Sequence, residues 1–129
     1  MNTFNARRAA ADAVAASATR PATAIIHDVP DARLVVFRIA PGQAVPPHRN
    51  SSTVLLTVLS GRGFVSGGDG EVPVDAGDVI AYEPNELHGM RADDDDLVLL
   101  ATITPRPGMR TDTQQLKRAA ALADTGRGA

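Results

Sequence analysis

A chain of 129 residues is long enough to bury one hydrophobic core without disulfides or structural metal, and one compact domain is expected. It has no cysteine, so disulfides, thiolate zinc sites and cysteine nucleophiles are excluded; any metal must be held by histidine, carboxylate, amide or water. Thirteen basic against fifteen acidic side chains, with Phe4, Phe37, Phe64 and Tyr82 as the only aromatics, leave neither a basic stripe nor a stacking platform for nucleic acid, and no apolar run approaches the ~20 residues of a membrane span.

From Phe4 to Ala18 the residues favour helix, and Pro21 stops it. Residues 1–22 are expected to form a helical arm packed on the body or on a partner subunit. Arg7 and Arg8 followed by an alanine-rich stretch imitate a signal peptide, but Asp12 interrupts the stretch and alanine is too weakly apolar for its centre, so a cytoplasmic protein is expected.

From Thr23 to Pro105 short β-branched and leucine runs are punctuated by Gly, Pro and Asp, the pattern of an all-β sandwich or barrel over residues 23–106. The expected strands are Ala22 to Asp28, Arg33 to Ala40, Val45 to Asn50, Thr53 to Leu59, Gly63 to Ser66, Glu71 to Val74, Asp78 to Tyr82, Leu87 to Ala92 and Leu97 to Thr104. Gly67 to Gly70 offers the positive φ values of a tight hairpin and should reverse the chain between Val65 and Val72. Asp93 to Asp96 cannot all converge on a cation, because neighbouring strand residues alternate faces; a solvated turn is expected. In the 107–129 tail, Thr111 and Gln114 have capping-box spacing, and Leu116, Ala119, Ala120 and Ala123 share one face of a short helix.

His48 and His88 carry the chemistry. In a strand, residues two apart point to the same side, so His48 and Asn50 share a face; if Ser52 bridges to the next strand without a change of parity, Val54 joins them. A closed or nearly closed barrel of this size leaves room for one small ligand, with alternate residues lining it. Val54, Leu56 and Val58 form one apolar face and Leu55 and Leu59 the other, and Leu97 to Thr104 repeats the two-faced pattern. Such a strand needs both sides covered, by the terminal arms or by a second copy, and a homodimer is expected.

The stretch from Gly42 through His48, Asn50 and Val54 to Gly61 resembles the first motif of the cupin superfamily, G-x5-H-x-H-x3-E-x6-G, matching its spacing throughout and its identity at Gly42, His48 and Gly61. The stretch from Gly77 through Glu83, Pro84 and Asn85 to His88 and Ala92 resembles the second, G-x5-P-x-G-x2-H-x3-N, matching at Gly77 and His88 with a proline one place late. The resemblance implies a cupin-type antiparallel β-barrel or jelly roll with short helical segments at both ends, in a family where sheet-to-sheet dimers are common.

In a typical cupin two histidines and a glutamate of the first motif and a histidine of the second bind a divalent metal. Carried over position by position, only His48 and His88 remain as metal ligands here; Asn50 offers a neutral amide and Val54 offers nothing. No certain cofactor follows, and a divalent transition metal is expected at most as a weakly held guest unless Glu83, Glu86 or His27 bends inward. The expected ligand site comprises His48, Asn50, Tyr82 and His88, with Tyr82 either orienting a ligand or packing at the barrel end. Arg38, Arg49 and Arg91 are exposed unless they pair with an anionic ligand. The leading reading is a small bacterial-type cupin that binds a small polar molecule. The alternative is a divalent-metal-dependent isomerase, lyase or dioxygenase.

Overall fold

The computed structural model describes residues 1–108, so the expected helix after Thr111 lies outside the described residues. Helix α1 spans Ala6–Asp12 and is followed by β1 (Ala22–Val29), β2 (Ala32–Ile39), β3 (Ala44–His48), β4 (Thr53–Ser60), β5 (Arg62–Gly67), β6 (Gly70–Asp75), β7 (Val79–Tyr82), β8 (His88–Ala92) and β9 (Leu97–Thr104). Every pairing is antiparallel, within a five-stranded sheet of order β1-β2-β9-β4-β7 and a four-stranded sheet of order β3-β8-β5-β6.

The period-2 pattern explains how the sheets face each other. Val54, Leu56 and Val58 on β4, Leu97, Leu99 and Ala101 on β9, and Val35 and Ile39 on β2 turn inward to meet Val65, Val74, Met90 and Ala92 of the smaller sheet. The expected strands are all present, with ends moved by at most two residues. The β5–β6 hairpin closes over Gly68 and Asp69 with Val65 opposite Val72, as the glycine cluster requires. At Gly61 the backbone has φ +81°, and a Cβ there would lie 1.9 Å from the carbonyl oxygen of Asp96, so only glycine lets β4 turn into β5 against that loop. Asp93 to Asp96 are all exposed, in the solvated turn between β8 and β9.

The N-terminal helix is shorter than its composition implies. Asn5 caps its start, accepting from the Arg8 N–H at 2.9 Å, but the helix ends at Asp12 instead of Ala18. Ala13 turns extended, and the guanidinium of Arg38 on β2 donates to the carbonyls of Ala10, Ala11 and Ala13. These carbonyls lie at the C-terminal end of the helix, where Ala10 also accepts the Ala13 N–H at 3.3 Å, and a cation there complements the helix dipole. A tertiary contact thus overrides alanine's helix preference, and Arg38 neither faces open solvent nor waits for an anion. The helix packs on β1 and β2, with Ala10 and the outward-facing Val36 of β2 both fully buried. Gln43 donates to the Ala18 carbonyl at 2.8 Å and Arg7 to that of Leu59 at 2.9 Å, tying both ends of the arm to the barrel. No helix of the described residues is long and apolar enough to cross a membrane.

Candidate functional site

The site begins with an irregularity in β3, which among the described residues is an edge strand paired with β8 alone. Val45 lies opposite Met90, but His48 lies opposite His88, a register shift of one residue between them. Pro46 and Pro47 fill the shift. Proline cannot donate to a sheet ladder, so it is tolerated on an edge strand or at a bulge, and here it occupies both. The extra residue reverses the parity of β3, bringing Val45 and His48, three apart, opposite the inward-facing Met90 and His88. Gly89 accommodates the bulge: a Cβ there would lie 2.8 Å from Ser66 Oγ and 3.0 Å from both Pro47 N and Val45 O. Asn50 is therefore not a strand residue two positions along from His48, as the simple alternation implied. It follows β3 in the loop leading to β4.

The two imidazoles are adjacent, with ring centroids 4.1 Å apart and planes at 60°. Each turns its Nδ1 to the carbonyl two residues earlier, His48 to Pro46 and His88 to Glu86, both at 3.0 Å. A carbonyl only accepts, so in each neutral ring Nδ1 holds the proton and Nε2 carries a bare lone pair. His88 is 4% exposed, and its Nε2 has no hydrogen-bond partner among the described residues. Burial pushes the His88 pKa below its ordinary value, and a charge on His48 would push it further; the Glu86 carbonyl and carboxylate act in the opposite direction.

Phe37, His48, Asn50, Val54, Leu56, His88, Met90, Ala101 and Ile103 enclose a cavity of about 50 Å³ between the sheets. Its walls are apolar except at the two histidines and Asn50. The Asn50 Oδ1 accepts the Ser52 N–H at 2.9 Å, which ties the amide to its own turn and leaves one oxygen lone pair and the NH₂ donors. Ser52, itself buried, donates to the Pro105 carbonyl at 2.7 Å and fixes the entry to β4, which delivers Val54 to the cavity wall. Beside Asn50, the Asn85 N–H donates to the Asn50 carbonyl at 2.7 Å and Arg49 donates to the Asn85 carbonyl at 2.9 Å. Asn85 has φ +65°, which asparagine tolerates better than most side chains.

Tyr82 stands behind His88 and not on the cavity wall. Its ring lies 5.1 Å from that of His88, and its hydroxyl donates to the Ser66 carbonyl at 2.8 Å. Burial, and secondarily the charge of Glu86, push its phenol up to about 12, so its hydroxyl keeps its proton at neutral pH. His27, Glu83 and Glu86, the residues that could have supplemented a metal shell only by bending inward, form no metal-holding group with the two histidines. His27 is on β1 with its ring against Phe4, 5.5 Å between centroids, and Glu86 turns a carboxylate oxygen to the Glu83 N–H at 2.9 Å, closing that loop on itself. Among the described residues no group of three or more histidines and carboxylates is placed to hold an ion. Two imidazoles, one neutral amide oxygen already accepting from Ser52, and an apolar Val54 do not fit a resident divalent metal, which needs harder donors to fill its shell. Arg91 is also accounted for, paired with Glu71 at 2.8 Å and lying over the Phe64 ring.

Residues 35–103 match the family model of the cupin domain. Among solved structures the chain is similar to an RmlC-like cupin protein from Desulfovibrio desulfuricans, at 29% identity over 81% of this chain and 97% of that one, with a TM-score of 0.69. It is also similar to an uncharacterized conserved protein with a double-stranded β-helix domain from Klebsiella pneumoniae, at 22% identity over 82% and 91% of the two chains and a TM-score of 0.72. A third similar structure is that of KdgF from Halomonas sp., at 20% identity over 79% and 92% of the two chains and a TM-score of 0.67. No curated protein matches the chain. The family match runs from β2 to β9, enclosing both histidines and the cavity between the sheets, and the chain belongs to the cupin family.

Proposed function

We propose that this cupin is a small-molecule-binding protein that receives a polar group at His48, Asn50 and His88 without a resident metal, Tyr82 holding His88 in place from behind. The observation that carries the reading is the buried, unpartnered Nε2 of His88 beside His48 in an otherwise apolar cavity. A buried acceptor left unmatched costs about 1–3 kcal/mol, so a ligand that supplies a donor there gains from a cost the folded protein already bears. Val54 in place of a carboxylate weighs against the metal-dependent alternative. The same proposal places the protein in the cytoplasm as a homodimer, with the arm, barrel and tail at 1–22, 23–106 and 107–129.

Elemental analysis and mass spectrometry of protein purified without a histidine tag or chelator test this directly. The expected result is substoichiometric transition metal together with a copurified organic molecule released on denaturation. A full equivalent of one metal per chain overturns the reading in favour of the enzyme alternative.

A further inference from the structure

A second concavity, of about 650 Å³, lies where the N-terminal arm passes the start of β1 and the edge strand β3. That volume is in the range of sites that take a whole small molecule. Val14, Ala16 and Pro21 form its apolar surface on the arm, and Ala44, Val45 and Pro46 form it on β3. The arm is held in place over this groove at two points. Arg38 donates to the Ala13 carbonyl at 3.1 Å, and Gln43, whose own oxygen accepts the Ala40 N–H, donates to the Ala18 carbonyl at 2.8 Å. Between those points Val14 stays 85% exposed, so the folded chain leaves apolar surface in water that a ligand would cover.

Arg20 is the charged side chain that lines the groove, and its guanidinium has no partner among the described residues. Its backbone N–H donates to the Ser17 carbonyl at 3.4 Å, and the neighbouring Thr19 hydroxyl is shared with that of Ser17 at 3.2 Å. A guanidinium beside apolar walls matches an amphipathic anion, and its planar fork fits a carboxylate. No aromatic side chain lines the groove among the described residues, so a flat aryl body finds no stacking partner there, whereas an alkyl chain needs only apolar contact. An extended peptide added to the β3 edge would need N–H donors, and Pro46 and Pro47 supply none.

We propose that this groove binds a medium-chain alkyl carboxylate, its chain lying between Val14 and Val45 and its carboxylate meeting Arg20. The groove shares no lining residue with the histidine cavity, and the proposal does not rest on the reading of that cavity.

Four probes separate the contributions: octanoate, octan-1-ol (the chain without the charge), octylammonium (the chain with the opposite charge) and acetate (the charge without the chain). They are titrated into the full-length protein, with backbone amides and imidazoles followed by NMR. Octanoate should shift Val14, Ala16, Arg20 and Val45 saturably and bind at least about tenfold more tightly than acetate or octylammonium. Arg20→Gln should weaken octanoate about fivefold and leave octan-1-ol unchanged. Ala16→Glu, at an exposed position on the arm that leaves the barrel core intact, should abolish octanoate binding. Equal affinity for octanoate and octan-1-ol, or an undiminished octanoate affinity in Arg20→Gln, overturns the carboxylate class. Shifts confined to His48 and His88 place the chain in the other cavity and overturn the groove, as does unchanged binding in Ala16→Glu. No saturable shift with octanoate overturns the site outright.

Discussion

His48 and His88 are direct register partners across β3 and β8, with their rings 4.1 Å apart. One is exposed and the other nearly fully buried, so the pair connects solvent to the cavity. The contrast sets a pH dependence. His88 binds its proton less readily in the folded protein than at the ordinary 6.5, because burial penalises the cation and a protonated His48 repels it. Below about that pH the unfolded chain takes up a proton that folded His88 refuses, so this contribution to stability is present above 6.5 and is lost as pH falls through the lowered folded value. The denaturant midpoint should drop between neutral pH and pH of about 5, and His88→Phe should flatten that part of the profile. NMR titration should show the His88 midpoint rising in His48→Gln. An unchanged His88 midpoint there would mean that the two rings are not electrostatically coupled.

The metal deficit can be reversed by restoring donors on the cavity wall. Asn50→His with Val54→Glu supplies an imidazole and a carboxylate at two further positions lining the cavity that His48 and His88 also line. Nickel or zinc affinity should rise by orders of magnitude over the wild-type chain, because basic and anionic donors then fill the shell. Equal affinities in the two proteins would show that Asn50 and Val54 do not share a centre with the histidines.

Arg38 is the clasp of the N-terminal arm, its guanidinium partly buried and satisfied by Ala10, Ala11 and Ala13. Arg38→Met keeps the aliphatic stem but removes the charged donor from those carbonyls, and should cost about 2 kcal/mol. Trypsin cleavage at Arg7 and Arg8 should accelerate in the variant relative to wild type, reporting release of the arm. Unaltered cleavage with a lowered melting temperature would assign the loss to the barrel instead.

How much of this was legible in the sequence depended on range. Alternation along Thr53 to Ser60 and Leu97 to Thr104 gave both strands and their inward faces, because a two-residue period survives whatever packs against it. Asn85 was readable only as a departure from the second motif's glycine, yet its φ of +65° performs the conformational role of that glycine. Asn85→Gly should accordingly be tolerated within about 0.5 kcal/mol, while Asn85→Val, β-branched in the left-handed region, should cost more than about 1 kcal/mol by the same chemical unfolding assay. What the sequence concealed was register. The Pro46–Pro47 bulge turns His48 inward where simple alternation from Val45 would have turned it outward, and nothing local announces a slip whose partner is β8. Likewise Arg38 reaches a helix 25 to 28 positions away, and no pattern near Arg38 points there.

The outer face of the five-stranded sheet bears on self-association. Helix α1 covers its β1–β2 side, where Ala10 and Val36 are fully buried. On the β4–β7 side, Leu55 opposes Ala81 and Thr57 opposes Val79, and these residues face away from the core. Leu55 is 36% and Val79 63% exposed in the single chain. The arm therefore answers only half of the two-faced pattern in β4, and a second copy set against β4 and β7 would remove the remainder from water at roughly 25 cal/mol per Å² of apolar surface. Light scattering at micromolar concentration should give about twice the chain mass of 13.4 kDa. Val79→Lys should shift the population toward monomer, because a charge on that face must be desolvated at the interface, without touching the cavity, which Val79 does not line. A wild-type mass near 13.4 kDa would refute the dimer, and a Val79→Lys protein that stays dimeric would move the interface elsewhere.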